Sequence, residues 1–352
     1  VVPALTTEAR NSMKPAFRWT AAHLQLRIAV VGANGVTGVE LCSLLLAAGH
    51  APERLVCTAR TARTLALGAS TLPVQAHSDD VVAQCDLAFL CTPSGVSREL
   101  APRLVARGVR VIDLSSALRM EPQIPLVVPE VNGDLLAAQP RLIANPNCTS
   151  AIALLPLSVI ERLYGLAEVI VVSYQAASGA GAPGLQALRA ELADLGSGGR
   201  GERAADSPFA AALALNVIPA IAAVDVHGHS GEEQKIVEEL RKILRRPDLI
   251  VEASTARVPV ERCHSVAVHL LTQHDVHLPE LCAALDAAEG LVLVRDPHGP
   301  RPRECAGADP VSVGRVRAGN RGPRSLSFFA VGDQIRKGAA LNALQIAELL
   351  VK

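Results

Sequence analysis

Residues 26–49 constrain the fold more tightly than any other stretch. Leu26-Arg27-Ile28-Ala29-Val30-Val31 is a short, partly β-branched apolar run. Gly32-Ala33-Asn34-Gly35-Val36-Thr37-Gly38 follows at once, and Val39 to Leu46 is apolar at helical spacing until Gly49 stops it. Strand, glycine turn, helix is the order a dinucleotide-binding crossover requires. Glycines let the backbone approach a pyrophosphate, and the helix N-terminus receives its charge. The spacing here is G-x-x-G-x-x-G. It makes Gly32, Asn34, Gly35, Val36, Thr37 and Gly38 candidate cofactor contacts, and it predicts an α/β fold begun by a parallel sheet.

The next elements continue that pattern. Arg54 to Ala59 reads as a second strand. An acidic residue at its end would bind a ribose 2′-hydroxyl; this chain offers Arg60 and Thr61, a cation and a hydroxyl that suit a 2′-phosphate. NADP is therefore expected over NAD. Asp86 to Cys91 is another strand, and the turn after it places Thr92, Ser94 and Gly95 where a cofactor can pass. Val109 to Leu114 is the next strand, with Arg119 just beyond its C-terminal end, where such sheets place ligand contacts.

The chemistry centres on Asn145-Pro146-Asn147-Cys148-Thr149. Pro146 biases Asn145 away from helix, and Asn147 suits a turn or cap. An apolar run follows from Ala151. Cys148 is thus expected at a helix N-terminus, where N–H groups and the helix dipole favour a thiolate, the nucleophile that attacks acyl carbons. A small buried core thiol is the competing reading. The eight cysteines are scattered with no C-x-x-C pair, which argues against a zinc ribbon or a disulfide scaffold and for a reducing cytoplasm.

Composition excludes other classes. Formal net charge is zero, so there is no basic field for nucleic acid. No apolar run reaches the roughly 18–20 residues that span a bilayer, so no membrane partner is expected. Residues 1–25 show little periodicity and read as a disordered extension, with a transit peptide as the alternative.

In the second half, Glu168 to Gln175 is a long strand-like run, followed by a glycine-rich loop with Ser178 and Gly179 that admits a ligand closely. Gln175 is placed to orient a carbonyl or carboxylate. Residues 194–208 read as a mobile loop. Ser230 with Glu233 fits a capping box at the start of a helix running to about Leu244; Glu233 and Lys235 are either solvated helix charges or substrate contacts. His227 and His229 lack a third ligand, and no metal site is assigned. His264 lies at a bend between two strand-like runs. Residues 290–325 read as irregular, Ser325 to Val331 as a strand, and Gly338 to Val351 as a terminal helix.

Taken in order, these motifs resemble the aspartate-β-semialdehyde dehydrogenase family from about residue 26 to 352. The stretches that carry the resemblance are Gly32–Gly38, Pro125–Asn132, Asn145–Thr149, Ser178–Gly181, Asn216–Pro219, Glu232–Lys235, Arg257–Val260, Cys263–Ser265, Pro302–Gly307 and Arg336–Ala340. The resemblance implies a Rossmann-type nucleotide domain, 26–147 with 331–352, and an α+β catalytic and dimerisation domain, 148–330. It implies Cys148 as nucleophile, His264 as acid/base, and Arg119 and Lys235 as phosphate ligands. Arg257 and Glu233 would bind the substrate's carboxylate and amino group, with Gln175 and Asn147 positioning it. Gln334 stands where the family has an asparagine cofactor contact, and Ala220 where it often has histidine. The implied activity is NADPH-dependent reductive dephosphorylation of L-4-aspartyl phosphate through a cysteine thioester, in lysine, threonine and methionine biosynthesis, by a homodimer or homotetramer. The rivals are a related acyl reductase, of the N-acetyl-γ-glutamyl-phosphate or malonyl-CoA type, and a non-catalytic paralogue.

Overall fold

The computed structural model describes residues 17–68 and 70–351. The chain forms two units. One runs up to Asn147 and resumes at Gly338; the other is Cys148–Lys337.

The first unit is built on seven strands: β1 (Ile28–Val31), β2 (Leu55–Ala59), β3 (Arg63–Leu67), β4 (Ser70–Ala76), β5 (Leu87–Leu90), β6 (Arg110–Asp113) and β7 (Leu142–Ala144). Their order is β3-β4-β2-β1-β5-β6-β7. Every neighbouring pair is parallel except β3–β4. β1, β2 and β5 are buried at every position, as expected of parallel strands covered on both faces. Because β1 lies between β2 and β5, the chain leaves it in opposite directions on its two sides. The crevice this opens at the strands' C-terminal ends is the ligand site of such sheets.

The terminal helix, Leu341–Leu350, packs Leu341, Leu344, Ile346 and Leu350 into this unit's core. The expected disordered extension is ordered from Phe17; residues 1–16 lie outside the described residues. Phe17 is buried beside Trp19, with ring centroids 6.0 Å apart, and Trp19 stacks on His23 in the short helix Ala21–Gln25. His23 Nδ1 accepts from Thr20 N, which leaves Nε2 to donate to Glu348 O at 3.1 Å. A few aromatic anchors hold this segment rather than an apolar stripe, so periodicity carries no sign of it.

The second unit contains β8 (Leu166–Gln175), β9 (Ile218–Pro219), β10 (Ile250–Arg257), β11 (His264–Thr272), β12 (Leu291–Val294), β13 (Val311–Ala318) and β14 (Ser325–Gly332), in the order β12-β13-β14-β11-β8-β10-β9. The sheet is mixed: β8–β10 and β12–β13 are parallel, the other pairs antiparallel. Two sequence expectations change here. Residues 290–325 are not wholly irregular, since β12 and β13 lie within them; pairing with neighbouring strands supplies what the Pro- and Gly-rich local sequence does not. The return to the first unit comes at Gly338 rather than 331, because β14 pairs with β11 through Gly332 and with β13 through Val331.

The segment read as mobile is tied down. The Gly181–Gly196 helix presents buried Glu191, whose Oε2 accepts from Leu213 N at 2.7 Å and Ala214 N at 2.8 Å. Arg203 donates to Phe209 O and Ser207 O.

A Cβ on Gly38 would stand 2.4 Å from Gly32 O and 2.7 Å from Ala33 Cα. Gly38→Ala is expected to destabilise the first unit by about 1–3 kcal/mol, read as a lower thermal midpoint. An unchanged midpoint would mean that the helix backs away from the turn freely.

Candidate active site

In the first unit the glycine turn is built for close approach. Gly32 has φ +84°, and a Cβ there would lie 2.3 Å from Cys91 O, so no other residue fits. Gly32 N and Ala33 N donate to Thr58 O, at 2.8 and 3.1 Å, fixing the turn against β2. A cleft of about 580 Å³ opens here, lined among others by Gly32, Asn34, Gly35, Arg60, Thr61 and Thr92. Val36, Thr37 and Gly38 form the first turn of the Val36–Ala47 helix, where N–H groups have no partner within the helix. Ser94 and Gly95 begin the Ser94–Ala106 helix. Ser94 Oγ lies 2.9 Å from Ser116 Oγ, and Thr92 Oγ1 lies 2.7 Å from Ser97 Oγ. A barred Cβ at the turn, a helix start and an arginine at the end of β2 together fit a dinucleotide.

Arg119 is buried beyond the ends of β6 and β7. Its Nε donates to Asn145 O at 2.9 Å and its Nη2 to Leu114 O at 3.2 Å. The Asn145 side chain accepts from Asn342 Nδ2 at 2.8 Å, which sets the turn that ends in buried Asn147.

In the second unit Cys148 is the first residue of the Cys148–Tyr164 helix. The helix follows from the sequence: Pro146 closes the preceding turn, and the residues after Ser150 are apolar on nearly every side. Burial raises other thiols, Cys85 to about 11 and Cys263 further, and keeps them protonated. Cys148 is half-buried.

Arg257 ends β10 and is buried. Its Nη1 donates to Ala176 O at 2.7 Å, and the Phe209 ring lies over it at 5.8 Å. Burial pulls its pKa down, while the Cys148 sulfur and the Glu232 carboxylate push it back up. His264 opens β11 rather than sitting in a bend, and it is fully buried. Its Nδ1 accepts from Ala176 N at 3.0 Å. Burial, then the Arg257 charge, hold its pKa well below the usual histidine value. The residue before it, Cys263, has φ +76°, a strained conformation held by its N–H donating to Gln334 Oε1 at 2.7 Å.

Gly179 explains how these side chains fit. A Cβ there would lie 2.6 Å from Arg257 Nη1, 2.9 Å from His264 Cε1 and 3.1 Å from His264 Nε2. Arg257 and His264 therefore converge on Gly179, where any Cβ would push one of them aside. Gln175 Nε2 donates to Thr149 Oγ1 at 2.9 Å and Glu232 Oε1 at 3.2 Å, tying the end of β8 to the helix start. Lys235 Nζ lies 3.3 Å from Glu232 Oε2.

One assignment changes. Glu233 is not free for substrate: one oxygen caps Ser230 N at 2.8 Å and the other accepts from Thr255 N at 3.0 Å. The buried carboxylate beside Gln175 and Arg257 belongs to Glu232. Two signals for this lie in the sequence: the capping box already occupies Glu233, and Glu232 shares a helix face with Lys235 at i, i+3. Gln334 has bonds of its own on this side. While its Oε1 holds Cys263, its Nε2 donates to Ser178 Oγ at 2.6 Å. Ser178 in turn donates to Glu261 O, so Ser178 and Gln334 brace the His264 loop from within. Ala176 and Phe209 escaped notice because one acts through its backbone and the other arrives from an irregular segment.

Comparison with known proteins agrees with both halves. Residues 27–139 match the model of the semialdehyde dehydrogenase NAD binding domain, and residues 154–337 that of the semialdehyde dehydrogenase dimerisation domain. The aspartate-semialdehyde dehydrogenase of Synechocystis is 37% identical over 335 residues, 93% of this chain and 98% of that one. The chain belongs to the aspartate-semialdehyde dehydrogenase family. Its relative in Aquifex aeolicus is 35% identical over the same shares. The crystal structure of aspartate-semialdehyde dehydrogenase II from Vibrio cholerae superposes with a TM-score of 0.87 at 34% identity, covering 93% of this chain and 98% of that chain. A structure of the same enzyme complexed with ASA gives 0.87 at 33% identity and the same coverage. The nucleotide unit of a family member binds a nicotinamide cofactor. Among the described residues no helix is long and apolar enough to cross a membrane.

Separate outcomes are expected for the two neighbouring glutamates. Glu232→Gln should raise KM for the amino-acid substrate by about tenfold or more, the loss of one charged hydrogen bond, and lower the thermal midpoint as well, because buried Arg257 loses a counter-charge. Glu233→Ala should instead cost about 1 kcal/mol of stability with KM little changed. The reverse pattern would return Glu233 to the site.

Proposed function

We propose that the protein catalyses NADP-dependent reductive dephosphorylation of L-4-aspartyl phosphate to aspartate 4-semialdehyde, the step that supplies lysine, threonine and methionine precursors. The observation that carries this reading is the buried Arg257, set among Cys148, Glu232 and His264. A fixed cation beside a carboxylate matches the α-carboxylate and α-amino group of an amino acid, and the sulfur stands with them.

The thiolate of Cys148 is favoured by the helix start and by the Arg257 charge. It attacks the acyl carbon of the substrate; the C–S bond forms, the C–O bond to phosphorus breaks, and phosphate leaves. NADPH supplies the hydride that reduces the resulting thioester. The thiohemiacetal then releases the aldehyde and returns the thiolate. Arg119 and Lys235 supply positive charge for the phosphate. Gln175, held by Thr149 and Glu232, positions the substrate, and Asn147 lies one residue before the sulfur. His264 serves as the acid/base, taking the thiol proton and supplying one to the alkoxide. The chain functions as a homo-oligomer through its dimerisation domain, in the cytoplasm, where its thiols stay reduced.

Steady-state turnover with aspartate semialdehyde, phosphate and NADP⁺ tests the reading. Cys148→Ala should fall to background, and His264→Ala by about 10²-fold in kcat. Turnover retained without the sulfur would end the nucleophile assignment. Arg60→Ala should raise KM for NADP⁺ about 10- to 100-fold, one charged contact, and leave KM for NAD⁺ little changed. Equal effects on both would place Arg60 away from the 2′-phosphate.

A further inference from the structure

We propose that Phe209 is a positioning residue: the face of its ring holds the Arg257 guanidinium in the orientation in which its unused N–H groups receive the substrate's carboxylate. The proposal rests on the activity proposed above, which supplies that carboxylate.

The donors of Arg257 come first. A guanidinium carries five N–H donors on three nitrogens. Nη1 donates to Ala176 O at 2.7 Å, whereas Nε and Nη2 have no acceptor among the described residues. One bond fixes a point and leaves the plane free to pivot about it. The Phe209 ring supplies the second constraint, with the guanidinium carbon 5.8 Å from its centroid. A cation is drawn to the electron-rich face of an aromatic ring, more strongly where water is excluded. Both residues are buried.

An aromatic face suits this place because it accepts no conventional hydrogen bond. A carboxylate on the same side would compensate the buried charge, but it would also take up N–H groups and repel an incoming carboxylate. The ring offsets part of the desolvation cost and leaves the donors for the substrate. A leucine there would exclude water equally and offer the cation nothing.

The surroundings keep the ring still. It packs with Ala177, Leu188, Leu213 and Ala214. A Cβ on Gly184, in the Gly181–Gly196 helix, would lie 3.0 Å from its Cζ, so the ring tip is seated against a residue without a side chain. The backbone is held as well. Arg203 donates to Phe209 O, Phe209 N donates to Ser207 Oγ at 3.4 Å, and Glu191 accepts from Leu213 N and Ala214 N. The irregular stretch between that helix and β9 thus carries a ring to the end of β10. There Arg257 pairs with Gln175 of β8 and Ile218 of β9.

The test uses two alkylating agents that differ by one carboxylate. Iodoacetate and iodoacetamide both lose iodide to a thiolate as the C–S bond forms. Their rates at Cys148, followed by mass spectrometry of its peptide, give a ratio that reads how well Arg257 holds a carboxylate beside the sulfur. In Phe209→Leu the ratio of iodoacetate to iodoacetamide should fall by about two- to tenfold, the cost of ordering one long side chain. Protein with 3,5-difluorophenylalanine at position 209 keeps the ring's shape but has a poorer π face. It should show a smaller fall in the same ratio, and it serves in place of Phe209→Leu if that variant does not fold. A ratio unmoved in both proteins would overturn the proposal; so would a fall confined to Phe209→Leu, which would leave the ring a packing role only. In steady state, KM for aspartate semialdehyde should rise in step with the fall in the ratio, and kcat should stay within about twofold. Loss of kcat at constant KM would also overturn it. Alkylation needs no turnover: wild-type protein inactive with aspartate semialdehyde refutes the proposed activity, whereas an active protein with an unmoved ratio refutes only the part given to Phe209.

Discussion

Burying one guanidinium organises the second unit. A charge removed from water is tolerated only where hydrogen bonds and counter-charge replace what the solvent gave. Arg257 is treated in that way: a carbonyl from Ala176, an aromatic face from Phe209, a carboxylate from Glu232, a sulfur from Cys148. Each comes from a different element, and each is drawn to the end of β10 by the same requirement. The neutral state of His264 belongs to this arrangement, since a second cation so close would undo it.

The two sheets reach their functional residues by a shared device, the end of a strand. β1 ends in the Gly32 turn, β7 in the turn that carries Asn147, β8 in Gln175, β10 in Arg257, and β11 begins at His264. Backbone pairing makes those positions rigid: Gln175, Arg257 and His264 each stand in the end rung of a ladder. The supporting bonds come from residues without chemistry of their own, among them Gln334 on Cys263 and Asn342 on Asn145.

The nucleotide half was largely legible in the sequence, because strand, glycine turn and helix are local signals and the crossovers are short. Cys148 was legible for the same reason. Harder to read were relations made by distant pairing. The Pro- and Gly-rich run after residue 290 becomes β12 and β13 by pairing, β12 with β13 and β13 with β14. Choosing between Glu232 and Glu233 depends on which helix face is buried, and adjacent residues of a helix look alike until one is assigned to the cap. The backbone of Ala176 and the ring of Phe209 gave no sign at all: one has no functional side chain, and the other lies in a segment whose order depends on the buried Glu191.

The chain leaves its first unit at Asn147 and returns to it only at Gly338. Ribosomes make proteins from one end. Six strands of the first sheet's seven-strand order, together with β7, are complete while the helix that seals their core is still unmade. Leu341, Leu344, Ile346 and Leu350 arrive after every strand of the second unit has been synthesised. During that interval the nucleotide-binding half carries an uncovered apolar groove of its own making, and a growing chain has to hold it without aggregating until its final turns emerge.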